Sequence, residues 1–198
     1  MSEYAFKKVT ADRALAVCQD IELDEAGRGL LAPELAPAAF LRLLIDEALY
    51  ADAVRFLARA LPRREATWWA CLCARSVLGE NPSPDMVRAL ELAEQWVYKP
   101  TEEHRRLTFP AAQAAEFNHP ASWAAMAAFW SGGSMAPPEA PVVPPAENLT
   151  GKAVAGAVML AAVQTEPEKS ETKYRRFLEQ GIDIACGGTG RLEAKGTA

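Results

Sequence analysis

Basic charge is in short supply in this sequence: 21 Lys and Arg stand against 26 Asp and Glu, for a net charge of −5 at pH 7. A field of that sign repels phosphate backbones and anionic lipid surfaces, so nucleic acid and membrane are not expected partners. Long apolar runs are missing as well. The most apolar stretch, residues 153–163, has 11 residues, well under the ~20 needed to cross a bilayer. Residues 1–8 lack the basic-then-apolar order of a secretory signal, and no apolar run follows Lys8 before Asp12. A cytoplasmic location is expected.

The residue types that carry chemistry are scarce. Histidine occurs twice, as His104 and His119, and no serine stands in a Gly-x-Ser-x-Gly setting. A nucleophile and its base are therefore not legible, and Cys18 or Cys186 would need the fold to bring a histidine to it. Cys71 and Cys73 are two apart, which on a helix turns them ~200° from each other. They share neither a metal nor a disulfide, and buried reduced thiols are the better reading. Glu116-Phe117-Asn118-His119 has the Glu-x-x-His spacing of di-iron bundles, but such a site needs two copies. His119 also precedes Pro120, which biases it out of the helical region. Gly187-Gly188-Thr189-Gly190 follows a helix and precedes a polar tail, whereas phosphate cradles lie between a strand and a helix start. No catalytic residue, cofactor or metal is expected.

Strand signals are few, since Ala, Leu, Glu and Arg dominate every long apolar segment. Residues 24–35, with Gly27, Gly29 and Pro33, read as a connection whose Leu30 and Leu31 tuck into the core. Pro37 starts a helix with Phe40, Leu41, Leu44 and Ile45 on one face. Val54, Leu57, Ala58 and Leu61 repeat that pattern. Residues 66–74, Ala-Thr-Trp-Trp-Ala-Cys-Leu-Cys-Ala, carry no charge on any face and belong at the centre. Ser83-Pro84-Asp85 is an N-cap, a first-position proline and a first-turn acid. Thr101 opens the next helix, which Pro110 is expected to kink or end. Pro120 begins another that runs to about Trp130. Thr165 with Glu168 has the capping-box spacing for a last helix closed by Gly187.

Residues 107–151 contain no Lys or Arg, and their only acids are Glu116, Glu139 and Glu147. Within them, Gly132, Gly133 and five prolines (Pro137, Pro138, Pro141, Pro144, Pro145) exclude a helix over 131–147 and predict an extended linker. The fold class expected is all-α. An irregular multi-helix bundle occupies 1–130, the linker 131–147, a helical hairpin packing on the bundle 148–187, and a flexible tail 188–198.

Two stretches could form an interaction surface. Arg63, Arg64 and Glu65 lead into Trp68-Trp69 and could set two guanidiniums and a carboxylate at the rim of an aromatic pocket; the alternative is a solvated first turn above a core helix. Trp123, Met126 and Trp130 share a face of an uncharged helix, which must be enclosed by its own fold or covered by another protein. Met135, Val142 and Val143 are too apolar for a free tether and predict a linker laid against a surface.

The segments Leu61-Pro-Arg-Arg-Glu-Ala-Thr-Trp-Trp-Ala-Cys-Leu-Cys-Ala-Arg75 and Phe177-Leu-Glu-Gln-Gly-Ile-Asp-Ile-Ala185 resemble those of a family of small all-helical bacterial proteins known only as a domain of unknown function. The resemblance spans most of the chain. It implies an association with type VI secretion effectors and their adaptors, and carries over no site residue. The expected function is a non-catalytic interaction protein, an adaptor or co-chaperone with another protein as partner. The alternatives are an enzyme of unrecognised type, using Arg63, Arg64, Glu65 or His104 around a pocket, and a ligand-binding regulatory bundle.

Overall fold

The structure, a computed structural model, describes residues 4–192. Among the described residues it has ten α-helices and no strand, the all-α fold that the caps and apolar stripes predict. In chain order they are α1 (Ala14–Cys18), α2 (Glu25–Gly29), α3 (Pro37–Asp46), α4 (Tyr50–Ala60), α5 (Arg63–Ser76), α6 (Pro84–Tyr98), α7 (Glu102–Ala114), α8 (Pro120–Phe129), α9 (Leu149–Val163) and α10 (Ser170–Ala185).

Local signals place four of the ten helix starts. Ser83 Oγ accepts from Met86 N at 3.2 Å and Thr101 Oγ1 from His104 N at 3.3 Å, each satisfying an amide that the first turn leaves open. Pro37, Pro84 and Pro120 occupy first helical positions, where the missing N–H costs nothing. Within residues 24–35 the chain winds one short helix, α2. Asp52 holds its entrance: this buried carboxylate accepts from Asp24 N at 3.1 and 3.2 Å and from Arg55 Nη1 at 2.8 Å.

Pro110 lies inside α7, which continues past it to Ala114. One expectation is corrected. The Thr165–Glu168 capping box does not form: Pro167 disfavours helical backbone in the residue before it, Glu166 takes a left-handed conformation (φ 47°), and a 3₁₀ turn over Pro167–Lys169 delays α10 to Ser170. Thr165 Oγ1 instead accepts from Lys173 Nζ at 3.0 Å. At the other end Gly187, at φ 98°, closes α10 as expected, with its N–H on the Ile184 carbonyl.

Helices α5, α8 and α9 pack on one another at the centre. Their uncharged sequences are explained by that position. Every residue of α8 except Trp123 is buried, and α9 buries Ala153, Val154, Ala157, Val158 and Ala161, so alanine faces let the backbones approach closely. Trp69 of α5 is fully enclosed and donates its indole N–H to Phe177 O at 2.7 Å. Helices α6 and α7 flank α8, while α4 and α10 close over α9 and α5. One continuous apolar core includes residues from Ala14 to Ala185.

The proline-rich segment lies against its own helices and turns back on itself, with Met135 N donating to Val143 O at 2.8 Å. Arginines from elsewhere grip its backbone. Arg63 Nη1 donates to Ser131 O at 2.8 Å, Arg105 Nη2 to Ser134 O at 2.9 Å and Arg106 Nη1 to Ala136 O at 3.0 Å. Arg105 is almost wholly buried. It also donates to Phe129 O, forks onto both carboxylate oxygens of Glu102 at 2.6 and 2.8 Å, and lies 4.8 Å from the Phe129 ring centroid. Gly133, at φ 64°, passes so close that a Cβ there would stand 2.8 Å from the guanidinium.

Candidate functional site

A groove of about 410 Å³ opens where the start of α5, the end of α6, the N-terminal segment and the turn that leaves α10 meet. Its chemistry comes from Lys8, Arg64, Glu65, Trp68, Tyr98 and Arg191. Arg64 and Trp68 are four apart on α5 and therefore share a face. Proximity of the chain termini to that face is built into the backbone, since Lys7 N and Lys8 N both donate to Ala185 O, at 2.8 and 2.9 Å.

Trp68 is the floor. Its indole N–H donates to Thr189 O at 2.8 Å, its ring lies 6.1 Å from that of Tyr98, and the Arg191 guanidinium stacks 5.3 Å above it. Tyr98, the last residue of α6, is 68% exposed and offers its ring to the groove. Arg64 Nε donates to Val97 O at 2.6 Å, using one of the carbonyls that the end of α6 leaves open. Lys8 pairs with Glu65 at 3.2 Å. The exit segment is ordered through Asp183, whose carboxylate accepts from Gly190 N at 2.8 Å. Gly190, within the stretch expected as a tail, is thus held against α10 and buried, and residues 193–198 lie outside the described residues.

The structure brings together part of the surface anticipated from sequence. Arg64 and Glu65 are in the groove, whereas Arg63 turns away to the Ser131 carbonyl. Trp123 is half-buried and donates to Phe117 O at 3.0 Å, and Trp130 is half-buried at the end of α8, its carbonyl accepting from Thr150 Oγ1. Met135 rests against the core, while Val142 and Val143 are exposed. Lys8, Tyr98 and Arg191 join from distant parts of the chain, with no local signal to mark them.

A second groove, about 320 Å³, is lined by Glu22, Arg55, Arg59, Asn148, Lys152 and Met159 among others. Its arginines are committed: Arg55 to Asp52 at 2.8 Å and Arg59 to Asp20 at 2.9 Å.

The scarce reactive side chains are placed as structural groups. His119 caps α8, its Nδ1 accepting from Ala121 N at 3.1 Å, and burial lowers its pKa. His104 Nδ1 meets Lys99 O at 2.8 Å on the surface. Burial, with Asp52 nearby, pushes the Cys18 thiol up to about 11, and burial raises Cys71, Cys73 and Cys186 as well. These sulfurs are held as thiols, the unreactive form. Among the described residues no group of three His, Cys, Asp or Glu side chains is arranged to hold a metal, and no helix is long and apolar enough to cross a membrane.

No curated protein and no solved structure matches the chain. A family match spans residues 40–185, from α3 to the end of α10, and so includes Arg64, Glu65, Trp68 and Tyr98 but neither Lys8 nor Arg191. On that match, over well more than half of its length, the chain belongs to the Family of unknown function (DUF6931).

Proposed function

We propose that this protein is a non-catalytic cytoplasmic interaction protein, an adaptor or co-chaperone, and that it holds its protein partner in the groove over Trp68. The observation that carries the reading is the exposed Tyr98 beside a guanidinium, Arg64, that has no carboxylate partner among the described residues. Aromatic and arginine side chains in a concave patch are the usual anchors of protein recognition. The resemblance of segments 61–75 and 177–185 to proteins associated with type VI secretion makes a secretion effector or adaptor the partner of choice.

Capture from native lysate tests this, with the wild-type chain and Tyr98→Ala as baits. Tyr98 is on the surface, so its truncation leaves the fold intact. A stoichiometric protein retained by the wild type and lost by Tyr98→Ala is the expected result. A small molecule that co-purifies in place of a protein, or a partner indifferent to Tyr98→Ala, would overturn the proposal.

A further inference from the structure

The chemistry of the groove narrows what it holds. We infer that its occupant is an acidic peptide segment, with a side-chain carboxylate on Arg64 and Arg191 and an apolar or aromatic side chain over Trp68 and Tyr98. This inference rests on the interaction role proposed above.

Charge is the first argument. The protein carries −5 overall, yet the groove gathers Lys8, Arg64 and Arg191 against Glu65 alone. Lys8 and Glu65 neutralise each other at 3.2 Å, which leaves two guanidiniums facing solvent with no carboxylate on either among the described residues. Geometry is the second. The bond from Arg64 Nε to Val97 O closes the side-on edge of that guanidinium and fixes its plane. Its end-on edge, Nη1 and Nη2, stays open, and that fork matches a carboxylate. The Arg191 guanidinium sits over the Trp68 ring, 5.3 Å from its centroid, a contact that leaves its N–H groups available to a carboxylate.

The same details disfavour a phosphate. Four backbone amides of the glycine-rich exit are already spent: Gly187 on Ile184 O, Gly188 on Asp183 O, Gly190 on the Asp183 carboxylate and Arg191 on Thr189 Oγ1. An anion nest needs such amides free. The exposed Tyr98 beside the half-buried Trp68, in turn, has no role for a bare inorganic anion and does for a peptide side chain.

The test is fluorescence anisotropy with the full chain and a labelled hexapeptide, Asp-Glu-Phe-Glu-Leu-Asp, compared with its amide isostere, Asn-Gln-Phe-Gln-Leu-Asn. The acidic peptide should bind saturably, weaken as salt rises, and outbind the isostere about tenfold or more, the loss expected for a charge-assisted fork. Arg64→Gln and Arg191→Gln should each remove most of that preference. If Arg64→Gln loosens the end of α6, Arg191→Gln carries the test, because the Arg191 side chain only stacks. Equal binding of the two peptides, no saturable binding of the acidic one, or its displacement by inorganic phosphate at concentrations where acetate is without effect would each overturn the inference. Lysate capture separates the two levels of the argument. A partner lost by Tyr98→Ala but kept by both arginine variants refutes the acidic segment and leaves the interaction role standing, whereas a partner kept by all three variants refutes both.

Discussion

Replacing Arg105 with Met keeps the length of a buried side chain and deletes all of its donors, so the cost reads out what the guanidinium does. Two buried carbonyls, Phe129 O at the end of α8 and Ser134 O in the proline-rich loop, lose this donor. Each buried acceptor left unsatisfied costs roughly 1–3 kcal/mol. The fork onto Glu102 adds little, because that carboxylate is about half exposed and turns to water when released. Stacking on Phe129 contributes about 0.5–2 kcal/mol, offset in part because methionine no longer requires a charge to be desolvated. The two acceptors and the stacking give about 2.5–8 kcal/mol before that offset, so a destabilisation of at least about 2 kcal/mol is expected, read as a lower urea midpoint at unchanged slope. Arg105→Lys should fall between, since one ammonium cannot serve three separate acceptors. The variant should also expose residues 131–147 to a protease of broad specificity well before the wild type. A midpoint within about 0.5 kcal/mol of wild type, the range of ordinary surface changes, together with unchanged cleavage, would refute the clamp.

Trp69→Ala removes a fully enclosed indole and its hydrogen bond to Phe177 O, and should cost about 3–5 kcal/mol in thermal or chemical unfolding. Gly181→Ala should destabilise by about 1–3 kcal/mol, against the usual gain from replacing a helical glycine, because a Cβ there would stand 2.7 Å from Leu57 and 2.8 Å from Trp69; a raised melting temperature would show that the core yields. His119 is held neutral by burial, so its folded pKa lies below the ordinary 6.5. The unfolded chain then takes up the proton first, and stability should fall as pH drops below about 6.5. His119→Asn keeps a capping side chain and should flatten that slope in melting curves between pH 7 and 5; an unaltered slope would place the proton elsewhere.

Much of the fold was legible because its signals are local. Ser83, Thr101 and the first-position prolines mark helix starts within four residues, and the uncharged run at 66–74 marks the centre without reference to anything distant. The failures share a cause. Thr165 and Glu168 satisfy a spacing, but Pro167 between them dictates the backbone of Glu166 and overrides it. Nothing within its own helix marks Arg105 as buried, since Phe129 and Ser134, which wrap around it, come from later in the chain. The groove was half visible for the same reason. Arg64, Glu65 and Trp68 are neighbours on one helix, whereas Tyr98 arrives from the end of another helix and Lys8 and Arg191 from opposite ends of the chain, which only tertiary packing brings together.

The arginines that grip the proline-rich loop hold carbonyl oxygens, and every residue has one. The exposed side chains of this loop, such as Glu139, Val142 and Val143, are therefore free to drift as long as the path of the backbone past Ser131, Ser134 and Ala136 is kept. Inheritance can change what this loop displays without touching how it is anchored, and so can an engineer. A foreign epitope, or an inserted peptide tag in place of Val142 and Val143, would be presented from a fixed base on a scaffold that need not be redesigned to carry it.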